Sequence, residues 1–272
     1  MHDPVVLPAD PLRRSVRLGG RSVDYRLRRS PRSRGLRVTI DDRDGLVVSV
    51  PLATRRGWAR PEGRVEAFLQ ERQAWVLRHL DTQARERAAA RARGGARAGG
   101  QVLYGGELHR IRVLRRDDRG GRSTVERSGG EDGDELVVLL AAGERRSLER
   151  VLEAWFRERA RDAIEEAIAA HAPSLGVLPA RIDIRDPRSR WGSASRRGRL
   201  MFSWRLALAP PGSLQTVVVH ELAHLRAFGH GPGFWALVAT RRPGHLADRA
   251  WLRRNSQALH SALEAWPDEE SA

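Results

Sequence analysis

The stretch VVVHELAHLRAFGH, residues 217–230, sets His220, Glu221, His224 and His230 into a mostly apolar run. Side chains four residues apart on a helix are neighbours, with Cβ atoms about 5–6 Å apart. His220 and His224 can therefore aim both imidazoles at one ion, at metal–nitrogen distances of about 2.0–2.1 Å. Glu221 is rotated by about 100° from His220, beside the pair rather than between them, where it can address a water without ligating. That is the division of labour of the HExxH arrangement. Gly229 is expected to end the helix in the left-handed conformation, so that the chain folds back and presents His230 as the third ligand. The chain has no cysteine, so the ion must be held by nitrogen and oxygen donors. A tetrahedral set of histidines with a fourth position for water favours one Zn2+ per chain over iron, manganese or cobalt.

The helix that carries these residues should be buried, because Leu214, Val217, Val218, Val219, Leu222, Ala223 and Leu225 make it apolar nearly all round. Imidazoles and a carboxylate on such a helix are unfavourable unless something satisfies them, and a divalent cation would. Upstream, alternation of apolar and polar residues from Ser15 to Pro51, with a turn at Asp44-Gly45, predicts short antiparallel strands. Helical spacing from Val65 to Leu80 predicts one long helix after Pro61, ending near Gly94-Gly95. GGARAGG at 94–100 is expected to be a flexible joint, and a second strand pair, VLYGGELHRIRVL and ELVVLL, should flank a mobile insertion at 117–135. A second amphipathic helix should start at a Ser147 cap, and ARIDIRD and RLMFSWRLALAP are expected to be strands around the turn-rich PRSRWGSASRRG. The expected architecture is α+β: an N-terminal antiparallel β-rich region with long helices over 15–93, the joint at 94–100, and a minimal zincin-like catalytic domain with an HExxH helix over 101–272. No repeat of solenoid period is present, although the two strand-then-helix blocks share a coarse order.

The 272 residues carry a net charge of +15, and with no lysine in the chain every basic residue is arginine. A polyanionic partner such as nucleic acid is electrostatically compatible with that excess, and a solvated basic surface is the plainer account of it. Lack of cysteine excludes disulfides and thiolate sites. No stretch approaches the roughly 20 apolar residues of a membrane span, and the N-terminus lacks a secretory pattern, so a cytoplasmic protein with no membrane partner is expected.

SRWGSAS followed by GRLMFSWRLALAPPGSLQTVVVHELAHLRAFGHGPGFWALV resembles the YgjP-like metallopeptidase family, relatives of the SprT and WLM HExxH zinc proteases. The resemblance is dense from about Arg181 to Leu252 and extends more weakly back to about Ser15. It implies that His220, His224 and His230 are the zinc ligands and Glu221 the general base and acid. The chain departs from the family at Ala194, where the pattern commonly has cysteine; this residue is not among the three ligands. The spacing to His230 also equals that of metzincins, but Ala227 stands where they have glycine and no later methionine could form their Met-turn.

The residues thus predict a zinc-dependent peptidase (a hydrolase acting on peptides or proteins) in which Glu221 moves the proton and LMFSWRL pairs with an extended substrate as an edge strand. The alternative is a basic nucleic-acid-associated protein whose zinc site cleaves DNA-bound proteins or only holds the fold. Arg190, Trp191, Ser193 and Ser195 are expected near the site, as a substrate edge or as a structural turn with Trp191 in the core. Trp235 and Trp251 are expected to be core anchors, and His109, His171, His245 and His260 are not assigned to the site.

Overall fold

The computed structural model describes residues 13–41, 44–117, 121–130, 133–187 and 190–264. The chain divides into two compact units, residues 1–88 and 89–272.

In the first unit β1 (Arg13–Leu18), β2 (Arg21–Arg29), β3 (Arg37–Asp41) and β4 (Gly45–Val50) form a sheet in the order β1-β2-β4-β3. β1–β2 and β3–β4 are antiparallel, and β2–β4 is a central parallel pair. One face, carrying Val16, Leu18, Tyr25, Leu27 and Val48, packs on Val65 and Leu69 of α1 (Glu62–Glu71) and Val76 of α2 (Gln73–Arg93). The single long helix expected here is therefore two helices, separated at Arg72, whose backbone leaves helical geometry at φ −105° and ψ 16°.

The second unit opens with the same plan. β5 (Gln101–Tyr104), β6 (Glu107–Arg115), β7 (Thr124–Gly130) and β8 (Gly133–Leu140) are ordered β5-β6-β8-β7, again with two antiparallel pairs around a parallel one. The coarse order shared by the two halves is thus one topology used twice. The first hairpin of each copy turns on a glycine pair, Gly19-Gly20 and Gly105-Gly106, all four at positive φ, the geometry of a tight two-residue hairpin. Segment 94–100 is bonded to β6: Gly99 N donates to Ile111 O and Ile111 N to Gly100 O. The insertion expected at 117–135 contains β7, whose Val125 is buried and which pairs along β8. Its Gly-rich composition hid this strand, because pairing with β8 rather than propensity holds it. Residues 118–120 and 131–132 of that insertion lie outside the described residues.

α3 (Leu148–Leu175) is the axis of the second core. Ser147 Oγ accepts from Arg150 N, Gly176 ends the helix at φ 65°, and Val151, Leu152, Phe156, Ala160, Ile164 and Ile168 form its buried stripe. β9 (Arg181–Arg185), β10 (Gly192–Ala194) and β11 (Arg199–Ser203) form a small sheet in the order β10-β11-β9. The strand expected through RLMFSWRLALAP stops at Ser203, whose hydroxyl caps a 3₁₀ turn over Trp204–Leu208. The turn leads into α4 (Pro211–Arg226), followed by α5 (Pro232–Arg241), α6 (His245–Arg254) and α7 (Ser256–His260). No helix among the described residues is long and apolar enough to cross a membrane.

Candidate metal centre

α4 owes its helical state to burial. Three consecutive valines are poor helix formers, but Val217, Val218 and Val219 are all buried, with Leu222 and Ala223 alongside, and packing outweighs their modest propensity deficit. Its start is held by Arg242, which donates to Gly212 O (3.1 Å), Gln215 Oε1 (2.9 Å) and Asp248 Oδ2 (3.0 Å), and Thr216 donates to the same carboxylate. α4 ends earlier than expected. Ala227, at φ −140° and ψ 108°, is its C-cap, and Gly229 at φ 101° makes the turn that follows. A glycine is still what the turn requires, since a side chain at that φ would be strained, and His230 is carried back over α4.

The three histidines converge. Their ring centroids lie 4.8 to 5.1 Å apart, and their ligand nitrogens all fall within 4.8 Å of one another. His220 Nε2 and His230 Nε2 are 3.2 Å apart. Two nitrogens of a tetrahedral site at about 2.0–2.1 Å from one ion stand roughly 3.3 Å from each other, so this separation fits a shared cation. His224 Nδ1 lies 3.4 Å from Ala227 O, an arrangement that turns Nε2 toward the cluster and matches the usual outer support of a ligating imidazole. Burial, together with the positive fields of His224, His230, Arg249 and His245, pulls His220 down to about 4, and burial likewise lowers His224. Both rings are thus neutral and have lone pairs free at neutral pH.

Glu221 follows His220 directly in α4. It is 6% exposed, and burial pushes its carboxyl up to about 7 against a lowering field from Arg190. It lies against Gly192 of β10, where a Cβ would sit 2.7 Å from Glu221 Cγ and Oε1. β10 and α4 are thus in contact at the one place where β10 has no side chain.

Several neighbours escaped the sequence reading. Phe234, in the first turn of α5 and 3% exposed, sets its ring 4.9, 4.5 and 4.9 Å from the rings of His220, His224 and His230. Its position four residues beyond His230, just inside a Gly-Pro-Gly helix start, was the signal available. Trp235 packs on the small core cluster of Val219, Ala223, Phe234 and Val238, as expected, and also borders the histidines. It is half-buried beside His220 and His230 (5.6 and 5.7 Å), with the buried His245 stacked on it at 5.8 Å and the Arg249 guanidinium 4.3 Å from its ring centre. Phe228, 52% exposed, stacks on His224 beneath Arg196. Trp251 does pack on the core. In the RWGSAS segment Trp191 is half-buried against the core and stacks on His260, and Ser195 Oγ accepts from Arg199 N in the β10–β11 turn. Gly192 and Arg190 are the members of that segment that reach Glu221. The expected edge strand is corrected as well: β11 is central, paired on both sides, and β10 is the edge beside α4.

Paired histidines one turn apart on a buried helix, a third folded back over them and a buried glutamate alongside are the parts of a metal-dependent hydrolase centre. The description "YgjP-like, metallopeptidase domain" matches residues 34–255, and the chain belongs to that family. No curated protein matches it.

Proposed function

We propose that the protein is a zinc-dependent peptidase in which His220, His224 and His230 hold one Zn2+ and Glu221 transfers the proton. The convergence of three imidazoles, of which His220 and His224 are kept neutral by burial, beside a buried carboxyl that titrates near neutrality carries this reading. Bound zinc would supply Lewis acidity, polarising the scissile carbonyl and acidifying water. Glu221 accepts a proton at its carboxylate and returns it to the leaving amine, a task that favours a group balanced near the working pH. Gly192 leaves the space in which that carboxylate sits, and the rings of Phe234 and Trp235 lie against the imidazoles. The free edge of β10 offers backbone groups to an extended peptide. Arg190, Arg196 and Arg249 ring the site and favour substrates with acidic side chains near the cleaved bond. Among the described residues the cluster contains three donors, which leaves a fourth position open; structural zinc sites are closed by four protein ligands.

A peptide-library digest with zinc-loaded protein should give cleavage products, and Glu221→Gln should lower turnover of a cleaved peptide by about 10²–10⁴-fold while zinc content stays at that of the wild type. Loss of zinc in the variant would make Glu221 a ligand. Full activity in it would place proton transfer elsewhere, and cleavage concentrated beside arginine and lysine would contradict the role given to the rim.

A further inference from the structure

The repeated sheet topology provides an internal comparison. In the first unit the face of the sheet turned away from α1 and α2 carries Arg13 and Arg17 on β1, Arg26 and Arg28 on β2 and Arg37 on β3, against Asp24 on β2 and, in the β3–β4 turn, Asp44, which meets Arg26. The corresponding face of the second sheet carries Arg110 and Arg112 against Glu126 and Glu135, with Leu108, Leu114, Val137 and Leu139 between them. Among the described side chains one topology is thus decorated once to neutrality, two arginines against two glutamates, and once with a positive excess of three, five arginines against two aspartates. Fold stability does not explain the difference, because like charges directly opposite on a sheet are destabilising, and Arg13 faces Arg26 across β1–β2 while Arg28 and Arg37 flank Ser49 from either side. Arg13 is met by Asp24 and Arg26 by Asp44. Arg17, Arg28 and Arg37 have no acidic partner among the described residues and are exposed. Val47, on the same face and outside the core cluster, is only 5% exposed, as expected where long arginine stems lie flat over a sheet and hold their guanidinium groups outward.

From this arrangement we infer that the outer face of the β1-β2-β4-β3 sheet is a binding surface for double-stranded DNA, gripping its phosphate backbone. Arginines two apart on a strand stand about 6.8 Å from each other and neighbouring strands about 4.8 Å, so the face is a two-dimensional array of phosphate forks. The face has no aromatic side chain among the described residues, Tyr25 being buried on the other side. It therefore lacks the stacking platform on which single strands are held. One of its two edges is the β1–β2 ribbon closed by Gly19-Gly20. A two-stranded ribbon fits the major groove of B-form DNA, whereas the corresponding groove of duplex RNA is too narrow. Contacts of this kind position without reading bases. The inference does not depend on the peptidase reading.

The test uses the full-length chain and a labelled 20-base-pair duplex in fluorescence anisotropy, titrated at several salt concentrations from on the order of 50 mM upward. Wild-type protein should bind with little sequence preference and weaken steeply with salt. Arg17→Glu combined with Arg28→Glu and Arg37→Glu should weaken binding more than tenfold. The neutral set Arg17→Gln, Arg28→Gln and Arg37→Gln guards against misfolding and should reduce the slope of log K against log salt by about 2.7, three contacts at roughly 0.9 each. A matched charge change on exposed arginines of the other unit, Arg110→Glu with Arg115→Glu and Arg145→Glu, should leave most of the affinity intact. The inference is overturned if this control loses as much affinity as the first set, if the glutamine set binds like wild type, or if no binding occurs at the lowest salt. It is also overturned by tighter binding of duplex RNA, or by poly-glutamate competing better than DNA of equal charge.

Discussion

Glu221 can titrate near neutral pH because three particulars coincide: it faces inward from α4, Gly192 has no side chain to displace it, and one arginine is close enough to temper the burial. The glycine is the most exposed of these to test. In Gly192→Ala the new methyl would meet the Glu221 carboxylate at 2.7 Å, and in a packed site such an overlap is relieved by moving the side chain or the strand, at about 1–3 kcal/mol. The expected outcome is a fall of at least about tenfold in peptide turnover, toward the loss of general-base assistance, with zinc content unchanged because a methyl at Gly192 meets Glu221 and none of the three histidines. Metal analysis beside a peptide assay distinguishes the outcomes. An alanine variant with wild-type turnover would show that the contact is slack, and one that loses zinc would tie the glycine to the metal rather than to the base.

At the scale of elements, the small sheet behind α4 depends on one carboxylate. Asp183 on β9 receives Arg199 Nε of β11 at 2.6 Å and Arg181 at 3.1 Å, and these contacts, Arg199 first, hold its carboxyl below the usual carboxylate range. A depressed pKa in the folded state contributes stability above the unfolded value, about 3.9 for aspartate, and that contribution is lost as the pH falls through the folded pKa. Asp183→Asn should therefore lower the melting temperature at pH 7, and the gap to wild type should close as the pH drops below about 4. Thermal melts from pH 7 to pH 3 provide the check; a gap that stays constant over this range would assign the role of Asp183 to packing. The same sheet brings β10 alongside Glu221, so loosening it should disturb the base before it disturbs the histidines.

In the molecule as a whole, one sheet topology serves two ends. In the second unit the Gly105-Gly106 turn donates to Ala207 O and Leu208 O, both at 2.9 Å, and a side chain at Gly106 would strike Pro210, so that turn anchors the segment leading into α4. In the first unit the equivalent turn reaches Gln73 through Gly19 N, and the sheet presents its arginines to solvent. Because His220 and His224 belong to α4, whose Leu214, Val217, Val218 and Leu222 are part of the second core, metal binding should register in global stability. Zinc at about 100 times its dissociation constant should stabilise the folded state by about 2.7 kcal/mol, chelation should remove that gain, and His224→Ala should melt at one temperature with or without zinc. Calorimetry on both proteins measures this, and a wild-type transition indifferent to saturating zinc would refute the shared-cation geometry.

The convergence of the three histidines was legible in the sequence because their spacing is a property of one helix and its stop: i and i+4 converge on any helix, and the apolar surroundings announce burial. The α+β class, the Ser147 cap and the strands of the first sheet were legible for the same local reason, since alternation and capping are written within a few residues. What could not be read locally depends on which segments meet. Glycine-rich β7 exists only through its pairing with β8, β11 is central rather than an edge because β9 lies parallel to it, and the long helix after Pro61 breaks at Arg72 where no glycine or proline marks it. Phe234, Trp235 and Gly192 came to the site from α5 and β10, elements whose own periodicity says only that they pack. Spacing along a chain determines what one element can present, and tertiary packing decides which other element stands opposite, since that depends on shape and burial summed over the core and not on any local residue pattern.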